Sequence, residues 1–226
     1  MEYSAQKLEG SSPPDLPGKR GSVPAWLQTA AVYALLLGAI WTRRGPANTF
    51  FVIASAAGVL AFLWFDDCSL HALGLRLPRM ANFVKILTFG LALAVLLFVL
   101  ALLTGEYQKP AYVISGRDAC EYAVWALMQQ FILQSFFFVR MESLMGSRRA
   151  VWATGLLFAL AHIPSPLLTA ASFAGGLIFC EMFRRYRSIY PLGLVHAVLG
   201  LTIAASYSDA LLRHMRVGIG YLTYGA

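Results

Sequence analysis

Apolar residues along the 226-residue chain gather into long runs separated by short polar or basic breaks. Seven such runs lie near residues 24–42, 47–65, 83–104, 119–139, 150–163, 167–184 and 188–206. Most approach the ~20 apolar residues that an α-helix needs to cross a hydrocarbon core. The expected fold is therefore all-α, a polytopic membrane helical bundle of about seven spans. Pro164 and Pro166 close the fifth run, because proline removes a backbone donor and restricts the residue before it. That run is short, which suits a tilted helix, a re-entrant one, or one continuous with the sixth. Between the second and third runs, Ser69–Pro78 is short and mixed in character and reads as an interfacial helix. The basic, amphipathic stretch Leu211–Tyr221 suits a membrane surface.

Composition sharpens the class. The chain is 58% hydrophobic and 13% charged, whereas soluble domains carry about a quarter charged residues. A net charge of +7 would point to nucleic acid in a soluble protein. Here the basic residues sit between apolar runs, where they anchor spans at lipid head groups, so the bilayer and not nucleic acid is the expected partner. Cys68, Cys120 and Cys180 are odd in number and scattered, without disulfide or metal-ligand spacing.

Four regions follow: a disordered tail at 1–22, N-terminal spans with the interfacial segment at 23–110, a core at 111–207, and an amphipathic tail at 208–226. Counting Lys and Arg in alternate inter-span segments gives twelve on the side of the N-terminus and six on the other. The positive-inside rule then puts the N-terminus in the cytoplasm. The expected compartment is a bacterial inner membrane, with the protein crossing it several times.

The candidate chemistry lies inside the apolar layer. Gln129, Gln130 and Gln134 stand on the fourth run, His162 ends the fifth, and His196 is mid-way along the seventh. Polar side chains at bilayer depth are costly, and usually face a protein interior or a wet cavity that marks function. Gln130 and Gln134 share one helical face, with Gln129 about 100° round. The bland alternative is that these groups are hydrogen-bonding glue between helices. Two histidines and an amide fall short of the three or four strong ligands that zinc sites require, so no metal or other cofactor is expected.

The ordered motifs Gln129-Gln130-x-x-x-Gln134, Phe158-x-x-x-His162 and His196-x-x-x-Gly200 resemble those of the CPBP intramembrane proteases, the CAAX protease and bacteriocin-processing family. The resemblance covers about residues 119–206 and includes the Ala-His-Ile-Pro turn, Ala174-Gly-Gly176 and Ser188-Ile-Tyr-Pro-Leu-Gly. It implies an active-site cavity formed by spans four, five and seven, with Gln129, Gln130, His162 and His196 as its catalytic positions. A membrane-associated or lipidated protein or peptide would be the substrate. The family pattern has glutamate at the first two positions, arginine at 134 and asparagine at 200; this chain has Gln, Gln, Gln and Gly.

In the family, the first glutamate is thought to activate water. An amide can orient water but cannot take its proton. Two readings stay open. In one, His162 or His196 acts as the base while the other histidine donates to the oxyanion. In the other, the chain is an inactive relative that binds a membrane segment or lipid. A transporter is weaker, since the runs show neither charged pathway residues nor a repeat. Oligomeric state is not legible.

Overall fold

The computed structural model describes residues 23–66, 68–107 and 114–225. The expected tail at 1–22 lies outside the described residues. Seven long helical stretches occupy the positions of the seven apolar runs: α1 (Ala25–Trp41), α2 (Pro46–Phe65), α3 (Met80–Leu103), a continuous rod from Gly116 to Met145, α6 (Ser147–Leu160), α7 (Pro166–Tyr186) and α8 (Tyr190–Ser206). The rod comprises α4 (Gly116–Gln130), a π-helical stretch (Phe131–Phe138) and α5 (Val139–Met145). Four of these, namely α2, α3, the rod and α7, are long and apolar enough to cross a membrane, and α1 and α8 are apolar but shorter. Apolar side chains such as Phe50, Ile53, Leu60, Leu91, Val95 and Leu103 stand exposed along α2 and α3. A patch of that extent would be unfavourable in water and suits lipid.

Local chemistry sets the helix ends. Ser115 and Asp118 form a reciprocal capping box at the start of α4, each side chain accepting from the other's backbone N–H at 3.1 Å. Proline opens α2, α7 and α8, at a position where its missing donor has no intrahelical partner to lose. Gly146, at φ 81°, breaks the rod from α6.

The rod is the core. Every residue from Leu133 to Glu142 is buried, which one face of a surface helix could not achieve. Phe136, Phe137 and Phe138 are all inside: Phe136 and Phe137 pack with Val32 and Val59, and Phe138 packs edge-on to Phe183. At one end of the rod the Arg140 guanidinium, fully buried, donates to Asp66 Oδ2 at 2.6 Å and to Gln28 Oε1 at 2.6 Å. It also lies 3.7 Å from the centroid of the Phe136 ring. Gln28 closes the triangle by donating to Asp66 Oδ1 at 3.2 Å. This network ties the start of α1 and the end of α2 to α5. At the same end, Arg187 donates to both oxygens of Glu142 at 2.5 and 2.6 Å.

Residues 69–78 are not an interfacial helix. They form a chain of turns that enters the bundle, burying Ala72 and Leu73. Leu73 O accepts from Ser135 Oγ at 2.6 Å and Gly74 O accepts from Ile189 N–H at 3.0 Å. Gly74, at φ 69°, brings the backbone flat against Phe183, where a side chain would not fit.

Removing one partner of a buried ion pair strands the other charge, at a cost of about 3–5 kcal/mol. Asp66→Ala should therefore lower thermal stability in detergent sharply, and Asp66→Ala combined with Arg140→Met should recover part of the loss.

Candidate functional site

Three elements carry the candidate residues, and the rod links them. Gln130 is fully buried and faces α8, with its Nε2 3.2 Å from His196 Nδ1. Gln134, one turn on and also fully buried, donates from Nε2 to Gln130 Oε1 at 3.1 Å. With its oxygen occupied in this way, Gln130 has its N–H left to donate to the imidazole. His196 Nδ1 is then an acceptor, and the ring's own proton resides on Nε2.

His162 is held differently. It sits in the turn after α6, and its Nδ1 lies 2.7 Å from Phe158 O. A carbonyl can only accept, so Nδ1 carries the proton and Nε2 of the neutral ring keeps its lone pair. The Phe158 ring touches both imidazoles, its centroid 4.8 Å from His162 and 5.9 Å from His196, edge-on to both. Phe179 also packs against His196, its ring centroid at 5.3 Å.

Gln129 points away from Gln130, as the 100° helical step requires. It lines a cavity of about 250 Å³ together with His162. The other walls are mostly apolar and come from α1 and α2 (Tyr33, Leu36, Val52, Val59), from the rod, and from Val217 near the C-terminus. The expected single cavity of spans four, five and seven is thus met only in part. Gln129 and His162 share a space with the first two helices, and α8 supplies no lining residue among those described. Phe158 is a further wall of that cavity, and its ring also packs edge-on against His196.

Gly200 has no room for a side chain, since a Cβ there would overlap the Tyr122 hydroxyl and ring edge. Gly193 is seated in the same way on Leu127, and these two glycines let α4 and α8 pack closely. Tyr122 escaped the sequence reading because nothing near it in the chain points to α8. Among the described residues no cluster of three His, Cys, Asp or Glu could hold a metal.

The family model "Type II CAAX prenyl endopeptidase Rce1-like" matches residues 119–202. The match supports a CPBP-type assignment for this stretch. No curated protein and no solved structure matches the chain. The matched stretch runs from within α4 to within α8, and so contains the Gln134–Gln130–His196 chain and the His162–Phe158 contact. The four long apolar helices and the matched family model together mark an integral membrane protein.

Writing the CPBP asparagine into this chain should fail for a steric reason. Gly200→Asn is expected to push Tyr122 off α8 and to destabilise by about 1–3 kcal/mol, as overpacking does. The same substitution in a Tyr122→Ala background should cost clearly less, which thermal unfolding of the four proteins would check.

Proposed function

We propose that the chain is an intramembrane endopeptidase in which His162 is the general base and His196 the oxyanion donor. The observation that carries this reading is the opposite anchoring of the two rings. His162 gives its Nδ1 proton to a carbonyl and leaves Nε2 free to accept, whereas His196 accepts at Nδ1 and leaves an Nε2–H to donate. In the proposed step, His162 Nε2 takes a proton from a water oriented by the Gln129 amide. The water oxygen bonds to the scissile carbonyl carbon, and the negative charge that develops on the carbonyl oxygen is met by His196 Nε2–H. Collapse breaks the C–N bond, and the His162 proton passes to the departing amine. Gln130 and Gln134 act through His196, by fixing its tautomer.

The substrate we propose is a membrane-associated or lipidated protein segment. Val52, Trp125 and Met128 line the cavity and are each about half exposed. The cavity therefore opens sideways between α2 and α4, toward the region lipid would occupy. In the proposed topology all seven long helices cross, in a bacterial inner membrane. The Arg140–Asp66 and Glu142–Arg187 pairs then lie at the cytoplasmic end, and the His162 turn lies at the other.

A second reading has its own support. The chain Gln134–Gln130–His196 is a neutral hydrogen-bonded tie between the rod and α8, and a tie of that kind serves an inactive relative that only binds a segment or lipid equally well.

Reconstitution with a panel of prenylated and transmembrane peptides separates the two. Turnover by the unmodified protein is expected, falling about 10²–10⁴-fold in His162→Ala, the usual loss for a general base. Cleavage that survives His162→Ala at full rate would remove this mechanism. An inert protein that gains turnover with Gln129→Glu and Gln130→Glu would establish the second reading.

A further inference from the structure

We propose that the segment from Arg213 to Leu222 is a lid over the aqueous mouth of the Gln129–His162 cavity. Val217 is a wall of that cavity, opposite Ala39 and Ile40 at the end of α1 and beside Ala161 and His162 after α6. The next residue spans the gap between those two helix ends. Gly218 N–H donates to Ile163 O at 2.9 Å, and its Cα lies flat on the Ile40 carbonyl, where a Cβ would overlap it. The cavity is thus closed at this end by one backbone hydrogen bond and a few apolar contacts. Closures of that size open locally far more readily than a core does.

The lid is braced from behind and hinged under strain. Arg213 Nη1 donates to Tyr221 O at 3.1 Å, with its guanidinium 4.3 Å from the Tyr221 ring centroid. Asp209 Oδ1 accepts from His214 N–H at 2.7 Å, and the Tyr224 hydroxyl meets both the Asp209 carboxylate and the His214 ring. At the start of the lid, ahead of the Gly218 seat, Arg213, His214 and Met215 follow one another at φ 46°, 53° and 52°. Three successive side-chain-bearing residues in the left-handed region is a conformation that surrounding contacts must enforce, and such strain gathers at switches and clamps. Swinging the lid away lets the three residues relax, so the hinge favours opening while the Gly218 seat opposes it.

The division of labour follows from the two openings. The side toward lipid, past Trp125 and Met128, admits an apolar segment, and the lidded end admits water to His162. That role rests on the endopeptidase reading. The lid itself does not, and a measurement of access alone can test it.

In a background with Cys68, Cys120 and Cys180 replaced by alanine, a single cysteine at Ala161→Cys reports the cavity wall. The protein is placed in nanodiscs with both faces in water and exposed to a charged methanethiosulfonate reagent. Labelling should be slow, and should quicken at least about tenfold when Gly218→Val unseats the lid, since minor open states are typically 0.1–10% populated. Arg213→Ala, which loosens the brace without a clash, should quicken it in the same direction and serves if Gly218→Val does not fold. Equal labelling rates in the parent and in whichever of these variants fold would overturn the lid. Quickened labelling in a protein that cleaves nothing would retain the lid and remove the protease.

Discussion

A polar group on a helix with no water beside it must find its partner on another helix, and that requirement organises this bundle. Arg140 binds α5 to α1 and α2 through Gln28 and Asp66. Tyr33 Oη reaches from α1 to Leu157 O on α6 at 2.9 Å, and Tyr207 Oη, just past α8, reaches Leu97 O on α3 at 3.2 Å. Gln130 does the same from the middle of the rod to His196. Apolar packing alone distinguishes helices poorly when lipid is as apolar as their side chains. These few cross-helix bonds are what fix which helix lies beside which, and hence where the two imidazoles stand.

The same requirement gives the histidines their different characters. Neither ring has a carboxylate partner among the described hydrogen bonds; one is paired with a backbone carbonyl and the other with a side-chain amide. Since a carbonyl only accepts, and the Gln130 amide is turned by Gln134, the partners set complementary tautomers. A glutamate at position 130 would introduce a charge into a fully buried niche whose neighbouring arginine position is Gln134. The neutral triad and the absence of that charge belong together, because an unpaired buried carboxylate is costly.

Much of this was legible in the residues. The runs at 24–42 and 47–65 correspond to helices Ala25–Trp41 and Pro46–Phe65, because proline and long apolar stretches act locally. The His162 and His196 motifs stood out because polar groups are rare in such runs. What escaped depended on contacts distant in the chain. Ser69–Pro78 has the composition of an interfacial helix, yet Gly74 and the bonds to Ser135 and Ile189 pull it inside as turns. The π-helical stretch over Phe131–Phe138 has no compositional signature, although it carries the amide that orients Gln130. Asp66 and Arg140 are far apart in sequence and become partners only in the folded bundle. The cavity took its extra walls from α1 and α2, outside the motif-bearing region, and Tyr122 reaches Gly200 from a different helix.

The tautomers are the most direct test of the account, since they precede any question of substrate. Solid-state NMR of the protein with ¹⁵N-labelled histidine, reconstituted in lipid, reads the protonation of each ring nitrogen, with His162→Gln and His196→Gln assigning the signals. The account predicts neutral rings of opposite form, with the proton on Nδ1 of His162 and on Nε2 of His196. Two rings of the same tautomer, or a His162 whose Nε2 is protonated, would contradict it.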